Sequence, residues 1–355
     1  MWSRNTEWFS VSEGVGEFGG KYIYLQLSHG PMARRKTSKK LEKCVRDIWY
    51  ALPSGTSYVD IFKDLSVINR KLFRQGHVLG IQSIEFGYSA NPATTDTVWL
   101  TAATAGESWP VHNSWVKGKA LWNQMNELVL EDNPSVQGKW ADFKVSLDAA
   151  HAAAGTSLEP LTSAGVAYNP GEWTMSTFVL PQHEVDPATG LPLAADETKS
   201  HLLGDDVLGV PPFGHYQSIG LVKAYEESRA TVNPDTPNVP AGMSSSFFNL
   251  LTDSGSQEPE LADVIEYSND NPPYDLDNYP GGDTQNPYPI QTEYAVASVG
   301  YPTGILSPFV AQCGLIKLTT QAYLDGVEVA APLLFARVTV MAGNYKGVAA
   351  VPMGQ

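Results

Sequence analysis

The sequence predicts an all-β protein: a single jelly-roll-type β-sandwich with long loops and one or two inserted helices. Apolar and polar residues alternate in about nine short segments, and this period of two is typical of half-buried strands. The 31 glycines and 25 prolines among 355 residues favour turns over long helices. Long irregular connections separate the segments, and two stacked antiparallel sheets accommodate such connections.

The alternating segments are predicted to be strands. They cover residues 21–27, 81–88, 98–103, 140–147, 173–180, 218–225, 292–299, 313–320 and 333–341. Within the segment 140–147, the side chains of Phe143, Val145 and Leu147 would share one face of the strand. The dipeptide Asp325-Gly326 predicts a tight hairpin turn between two of the last strands.

One long helix is predicted to start at Asn113 or Ser114, because either residue can cap it and Pro134 lies just past its end. Its large apolar residues recur at helical spacing, which favours core packing over a ligand site. These residues are Trp115, Trp122, Met125 and Val129. A second helix is expected within residues 36–50.

Charge is distributed unevenly along the chain, whose net charge is −15. Residues 1–76 hold 13 Lys and Arg against 7 Asp and Glu, whereas residues 77–355 hold 10 against 31. A cluster of basic residues lies in the first part and consists of Arg34, Arg35, Lys36, Lys39, Lys40, Lys43 and Arg46. We divide the chain accordingly into an N-terminal segment with the basic cluster, 1–50, and a jelly-roll domain with long loops, 51–355.

Such asymmetry suggests a basic arm that meets a polyanion on an otherwise acidic body. Neutralising phosphates with Lys or Arg releases condensed counterions, and this requires charge density rather than exact geometry. The cluster is therefore a candidate site for binding nucleic acid. A solvated basic helix face or a localisation signal remains the alternative.

An acidic loop is predicted at about 253–290, rich in Pro, Gly, Asn and carboxylates. Asp275 and Asp277 could offer oxygen ligands to Ca²⁺, but a simple solvated loop is the favoured interpretation because no EF-hand spacing occurs. Aromatic residues of this loop are expected to be exposed and to suit the core of an interface between subunits. They are Tyr267, Tyr274, Tyr279 and Tyr288.

Catalytic and cofactor signatures are missing from the sequence, so we expect no enzyme, no cofactor and no metal site. The seven histidines form no metal-binding spacing. The glycines of Gly14-x-Gly16-x-x-Gly19 match a dinucleotide fingerprint, but the strand-like KYIYLQL follows where a helix is needed, so a loop is predicted. No apolar stretch of membrane-spanning length occurs, so no membrane partner is expected.

Three stretches of the sequence carry a resemblance to a known family. They are DLSVINRKLFRQG (64–76), SWPVHNSWVKGKALWNQMNELVLEDNPSVQGKWADFKV (108–145) and LLFARVTVMAGNYKGVAAVPM (333–353). In them the chain resembles capsid (coat) proteins of small circular single-stranded DNA viruses known mostly from environmental genomes. The resemblance implies a jelly-roll subunit with a basic N-terminal segment facing the genome, which here would be residues 34–46. In this chain some 33 residues of mixed character precede that segment.

We therefore expect a viral capsid protein that self-assembles into an icosahedral shell enclosing a nucleic-acid genome. Its partners would be further copies of itself, genomic nucleic acid bound independently of sequence, and divalent cations where acidic surfaces face each other. It would occupy the virion, and the host cell during assembly. The alternatives are a carbohydrate-binding β-sandwich or adhesin and, less favoured, a jelly-roll hydrolase.

Overall fold

The computed structural model describes residues 11–15, 21–25, 43–136, 142–169, 171–180, 196–209, 216–229 and 279–354. Contacts divide the chain into two units, Met1–Leu41 and Glu42–Gln355. In the first unit, β1 (Val11–Val15) pairs antiparallel with β2 (Lys21–Leu25). Gly14 lies in β1 rather than in the predicted loop, whereas Gly16 and Gly19 lie outside the described residues.

The second unit is mostly β. Its strands are β3 (Asp47–Leu52), β4 (Gly55–Asp60), β5 (His77–Tyr88), β6 (Thr97–Thr104), β7 (Ser146–Asp148), β8 (Phe178–Leu180), β9 (Asp196–Leu203), β10 (Val207–Leu208), β11 (Tyr216–Gly220), β12 (Ile290–Ser298), β13 (Thr303–Leu306), β14 (Phe309–Gln312), β15 (Leu315–Leu324), β16 (Val327–Val329), β17 (Leu334–Val340), β18 (Ala342–Tyr345) and β19 (Ala350–Pro352). Its helices are α1 (Ile61–Asn69), α2 (Trp109–Asp132), α3 (Ala149–Ala154) and α4 (Leu221–Ser228), with a 3₁₀ turn at Pro134–Val136.

Two antiparallel sheets form the body of this unit. Sheet I has the strand order β13-β5-β17-β3, and β14 and β19 also pair with β5. Sheet II has the order β12-β6-β15-β4, and β16 pairs with the last residues of β15. The structure therefore confirms a mostly β protein with antiparallel sheets.

The core lies between the two sheets because alternate residues of each strand face inward. In β17, Leu334, Ala336 and Val338 are fully buried, while Phe335 between them is exposed. Inward residues of sheet II, such as Leu100 and Ile316, belong to the same core. Each large aliphatic side chain buried in this way contributes roughly 1.5–3 kcal/mol to the free energy of folding.

Most of the predicted strands have counterparts in the structure. The segments 21–27, 81–88, 98–103, 292–299, 313–320 and 333–341 correspond to β2, β5, β6, β12, β15 and β17. The predicted turn is also confirmed, because Asp325 and Gly326 join β15 to β16 with φ angles of 51° and 77°. Positive φ at both central residues is the backbone geometry that Asp-Gly favours in hairpins.

A long insertion, residues 105–289, separates β6 from β12. Its described part contains a small sheet of order β10-β11-β9-β7, in which β9 runs parallel to both β7 and β11. Helices α2 and α4 pack on this sheet around a second core that includes Trp115, Phe143 and Tyr225. Four α-helices occur in the described residues of the second unit, where the sequence indicated one or two.

Three predicted elements differ in the structure. The segment 218–225 is a strand only to Gly220, because Leu221, Val222, Ala224 and Tyr225 follow at helical spacing and are buried as one face of α4. Residues 43–50 form no helix; 47–50 belong to β3, and 36–42 lie outside the described residues. The segment 173–180 is a strand only over its last three residues, Phe178–Leu180.

Two further elements differ at their boundaries. In the segment 140–147 only Ser146 and Leu147 are strand residues, and residues 142–145 run without regular structure. Helix α2 begins at Trp109 after Ser108, earlier than predicted, because Pro110 suits the first turn of a helix. Within α2, Trp115 is buried as predicted, whereas Val129 is exposed.

The insertion is joined to the sandwich by buried polar contacts around Asp60. Asp60 ends β4 and caps α1 by accepting a hydrogen bond from the Lys63 backbone nitrogen at 3.1 Å. Its other carboxylate oxygen accepts hydrogen bonds from Gln75 Nε2 at 3.1 Å and from Trp173 Nε1 of the insertion at 3.2 Å. Burial raises the pKa of Asp60 to about 6, and these donors oppose that rise.

Replacing Asp60 with Ala should lower the free energy of unfolding by about 2–4 kcal/mol. The change removes the cap of α1 and takes an acceptor from the buried Gln75 and the partly buried Trp173, leaving Gln75 Nε2 with only the Val145 carbonyl oxygen. Urea denaturation of the two proteins at neutral pH measures this difference. The matched control is Asp47→Ala, since Asp47 is exposed and accepts a hydrogen bond from Thr339 Oγ1 at 2.8 Å. Equal stability losses in both variants would contradict the role given to Asp60.

Candidate nucleic-acid interface

The last two residues of the predicted basic cluster, Lys43 and Arg46, lie in the segment that leads into β3, the first strand of the sandwich. Lys43 is exposed, and Arg46 precedes β3, where its Nη1 donates to the carbonyl oxygen of Val340 at 3.1 Å. The backbone nitrogen of Val340 donates in turn to the Arg46 carbonyl oxygen at 3.0 Å, which extends the pairing of β3 with β17. Arg34, Arg35, Lys36, Lys39 and Lys40 lie outside the described residues.

The end of α1 holds this entry segment in place. Asn69 Oδ1 accepts from the Val45 backbone nitrogen at 2.7 Å, and Asn69 Nδ2 donates to the Val45 carbonyl oxygen at 2.9 Å. Arg70, in the left-handed conformation with φ 51°, then ends the helix. The next residue, Lys71, donates from Nζ to the Lys43 carbonyl oxygen at 3.4 Å. Two cations that follow α1 are thereby placed beside the entry segment.

A second group of cations adjoins the first. The backbone nitrogen of Arg74 donates to the hydroxyl of Tyr345 at 3.0 Å. Lys346 donates to the Leu72 carbonyl oxygen, and its Nζ lies 5.4 Å from the centre of the Tyr345 ring. The ring of His77 lies 4.1 Å from that of Tyr345, centre to centre. The turn after β18 thus carries Lys346 to the residues that follow α1.

Lys119 of α2 lies near the same residues: its Nζ is 5.1 Å from the centre of the Trp115 ring, and that ring packs against Gly76, next to His77. Burial lowers the pKa of His77, and the positive charges of Lys119 and Lys346 lower it further. We call the resulting surface the basic patch; it consists of Lys43, Arg46, Arg70, Lys71, Arg74, Lys119 and Lys346. A carboxylate next to it belongs to Asp142, which is buried and lies 3.8 Å from Arg74.

Sequence reasoning found only part of the basic patch. Arg70, Lys71 and Arg74 contributed to the excess of positive charge in residues 1–76 but were not recognised as part of the cluster. Lys119 and Lys346 are isolated cations in the sequence and give no local signal. The fold brings them to the patch from α2 and from the turn after β18.

The predicted acidic loop is described only from Tyr279 onward, so Tyr267, Tyr274, Asp275 and Asp277 lie outside the described residues. Tyr288 is exposed, as expected for an interface residue. Tyr279 is not: it is buried in the second core, with its ring centre 5.0 Å from that of Trp109. The expectation of an exposed Tyr279 is therefore wrong.

Two buried histidines each contact a serine, the arrangement that a hydrolase would need. His151 Nδ1 accepts from the Leu147 backbone nitrogen at 3.1 Å, so its proton is on Nε2, 3.0 Å from Ser157 Oγ. That nitrogen donates and cannot take a proton from Ser157. His201 Nε2 donates to the Asp205 carbonyl oxygen at 2.9 Å, so Nδ1, 2.8 Å from Ser218 Oγ, can accept the serine proton. Both side chains are, however, buried between β9 and β11. Neither pair is a nucleophile and base open to substrate.

No family model, curated protein or solved structure matches this chain. Among the described residues, no group of three or more His, Cys, Asp or Glu side chains is placed to hold a metal ion. Within the same residues, every helix is too short or too polar to cross a membrane.

Because the imidazole of His201 is buried, we expect the free energy of unfolding to depend on pH. Burial lowers its pKa from 6.5 to about 4, so between these values the unfolded chain binds a proton that the folded protein excludes. Stability that depends on His201 is present above pH 6.5 and is lost as the pH falls towards 4. At pH 5 this loss amounts to about 2 kcal/mol relative to pH 7.

The variant His201→Gln cannot take up that proton. The difference in unfolding free energy between the parent and this variant should therefore shrink by about 2 kcal/mol from pH 7 to pH 5 in urea denaturation. Ser200→Ala is the control, because Ser200 is equally buried on β9 and does not titrate. A difference for His201→Gln that stayed constant with pH would contradict the assignment.

Proposed function

We propose that this protein is a viral coat subunit that self-assembles into a closed shell and holds nucleic acid through basic residues. The observation that carries the proposal is the basic patch. It lies where the chain enters the sandwich from the predicted basic cluster, on a protein whose net charge is −15. Arg34, Arg35, Lys36, Lys39 and Lys40, predicted from the sequence to bind nucleic acid together with Lys43 and Arg46, would add further phosphate contacts. Phosphate contacts of this kind need no base recognition.

The strand order supports a jelly roll for the sandwich. We leave aside the insertion, β16 and the short C-terminal strands β18 and β19, and we count β13 and β14 as one interrupted strand. Sheet I then holds strands one, eight, three and six from β3 onward, and sheet II holds strands two, seven, four and five. A double-sheet jelly roll consists of eight strands in two Greek keys, an architecture found in viral capsid and lectin domains.

The outer face of sheet I supports contact between subunits. Trp49, Ile305 and Phe335 are large apolar side chains that remain exposed on this face or its edge. Phe335 pairs with Gly87 of β5, whose missing side chain leaves a depression beside the ring. The ion pair between Arg337 and Glu85 lies between Trp49 and Ile305 on this face. Exposed apolar side chains that surround a depression mark interaction sites in soluble proteins. A repeated contact of this face with another subunit would bury it.

The acidic body sets a requirement for assembly. Residues 77–355 hold 31 Asp and Glu against 10 Lys and Arg, so neighbouring copies would repel one another at low ionic strength. Salt screens such repulsion, and divalent cations bridge facing carboxylates. Both should therefore strengthen association between subunits.

The purified protein should form large uniform particles, visible by negative-stain microscopy and as a fast sedimenting species. The fraction assembled should rise with added salt or divalent cations, because acidic surfaces then repel less. The variant Phe335→Glu should fold as a subunit, by circular dichroism, but form few particles. A stable monomer under all conditions would contradict the proposal, as would assembly unchanged by ionic strength in the presence of chelator.

The basic patch should also set the salt dependence of nucleic-acid binding. Each of Lys43→Gln, Arg70→Gln and Lys71→Gln should lower the slope of log affinity against log salt by about 0.7 for single-stranded DNA. Together they should lower it by about 2. Fluorescence anisotropy with an oligonucleotide of mixed sequence, measured over a salt series, gives these slopes. The control is Lys199→Gln, an exposed lysine of the insertion outside the patch, which should leave the slope unchanged. Equal slopes for the control and the patch variants would exclude the patch from the interface.

A further inference from the structure

The described part of the insertion covers only part of the outer face of sheet II. Near α1, Tyr58 of β4 is buried beneath it, with its ring stacked on His151 at 4.4 Å and its hydroxyl donating to Asp148. Lys317 of β15 also contacts Asp148, at 3.5 Å. Farther along β15, no described residue of the insertion lines this face, and a depression is found there. We call this region the open end of sheet II; it consists of Trp99, Thr101, Gln291, Tyr294, Gln321 and Tyr323.

We infer that the open end of sheet II binds a neutral sugar through its three aromatic rings and the polar side chains beside them. The inference applies equally to an isolated subunit and to a shell. It therefore does not rest on the proposed coat function.

The three rings come from adjacent strands and orient one another. Trp99 lies on β6 between β12 and β15, directly opposite Val296 on one side and Gln321 on the other. The ring centres of Trp99 and Tyr294 are 5.8 Å apart with planes 10° from parallel, and Tyr323 meets Trp99 edge-on at 6.4 Å. Such contacts favour a fixed geometry, because offset-stacked and edge-to-face rings attract each other.

These rings are held in place yet remain accessible. Trp99 is 36% exposed and Tyr294 is 55% exposed, although each is packed against the other. An aromatic ring offers a flat apolar surface to a ligand. Because its neighbours already hold the ring in place, little side-chain conformational entropy is lost when the ligand binds. The apolar face of a pyranose ring, made of C–H groups, fits such a surface.

Hydrogen-bonding groups line the same depression. Gln291, Gln321 and Thr101 supply amides and a hydroxyl, and each of these groups both donates and accepts. Sugar hydroxyls need both kinds of partner. Gln321 Nε2 donates to Glu328 Oε1 at 3.4 Å, which orients the amide. The depression has a volume of about 220 Å³, which suits a single ring better than an extended peptide.

The charge near this surface excludes a polyanion. Asp96 precedes β6, Asp325 lies in the turn after β15, and Glu328 contacts Gln321. Asp96 Oδ2 accepts from the Asp325 backbone nitrogen at 2.7 Å, so both carboxylates lie at this end of the sheet. Phosphates, sulfated sugars and sialic acid would be repelled here, whereas a neutral sugar would not.

The experiment uses saturation-transfer difference NMR on the full chain as purified, with D-glucose, D-galactose, D-mannose and N-acetyl-D-glucosamine as probes. At least one of them should receive saturation from the protein, and sialic acid should receive none. Trp99→Ala and Tyr294→Ala should weaken binding at least about tenfold, as expected for central aromatic contacts. Tyr301→Ala is the control, because Tyr301 is 81% exposed on the turn after β12 but does not line the depression.

Several outcomes would overturn the inference. They are the absence of transfer to any probe, equal loss in the Tyr301→Ala control, and stronger transfer to sialic acid than to the neutral sugars. Gln321→Leu keeps the test decisive if Trp99→Ala fails to fold, because it preserves side-chain volume and removes hydrogen bonds. Particle formation is recorded on the same samples. Loss of particles in the aromatic variants, without sugar binding by the parent, would make this surface a subunit contact instead.

Discussion

The carboxylate of Asp60 is the contact on which the arrangement of sandwich and insertion depends. It ends a strand of sheet II, caps α1 and accepts a hydrogen bond from Trp173 of the insertion. Nearby, Lys63 of α1 forms an ion pair with Glu159 at 2.7 Å, which adds a second link to the same segment. A buried carboxylate needs several donors to remain stable, so the positions of its partners are tightly constrained. The orientation of α1, and with it the basic patch at its end, follows from this contact.

The sandwich could be predicted from the sequence because its strands bury one face and expose the other. β17 and β15 show this alternation directly, and the Asp325-Gly326 turn carried its own signal. β9 escaped prediction for the opposite reason. Its second half is buried on both faces, and its buried residues include the polar side chains of Thr198, Ser200 and His201, so no apolar alternation marks the strand.

The candidate site was less accessible to sequence reasoning than the fold. Charge density along the chain located Lys43 and Arg46, because local composition is visible without any structure. Lys119 and Lys346 reach the basic patch only through the tertiary fold. No spacing of residues in the sequence could therefore have placed these two lysines beside Lys43 and Arg46. The open end of sheet II was hidden in the same way, because its rings come from three strands that are distant in the chain. A surface whose residues come from several strands can be predicted only when the pairing and register of those strands are known.

The placement of the insertion has a consequence for how such a protein can diversify. Its two ends emerge side by side, since Thr104 at the end of β6 is paired with Ile290 at the start of β12. A segment with adjoining ends can lengthen, shorten or be exchanged over evolutionary time while the sheets that carry it keep their pairing. A replacement segment would have to supply a hydrogen-bond donor to the Asp60 carboxylate in place of Trp173. This requirement limits the segments that could be exchanged.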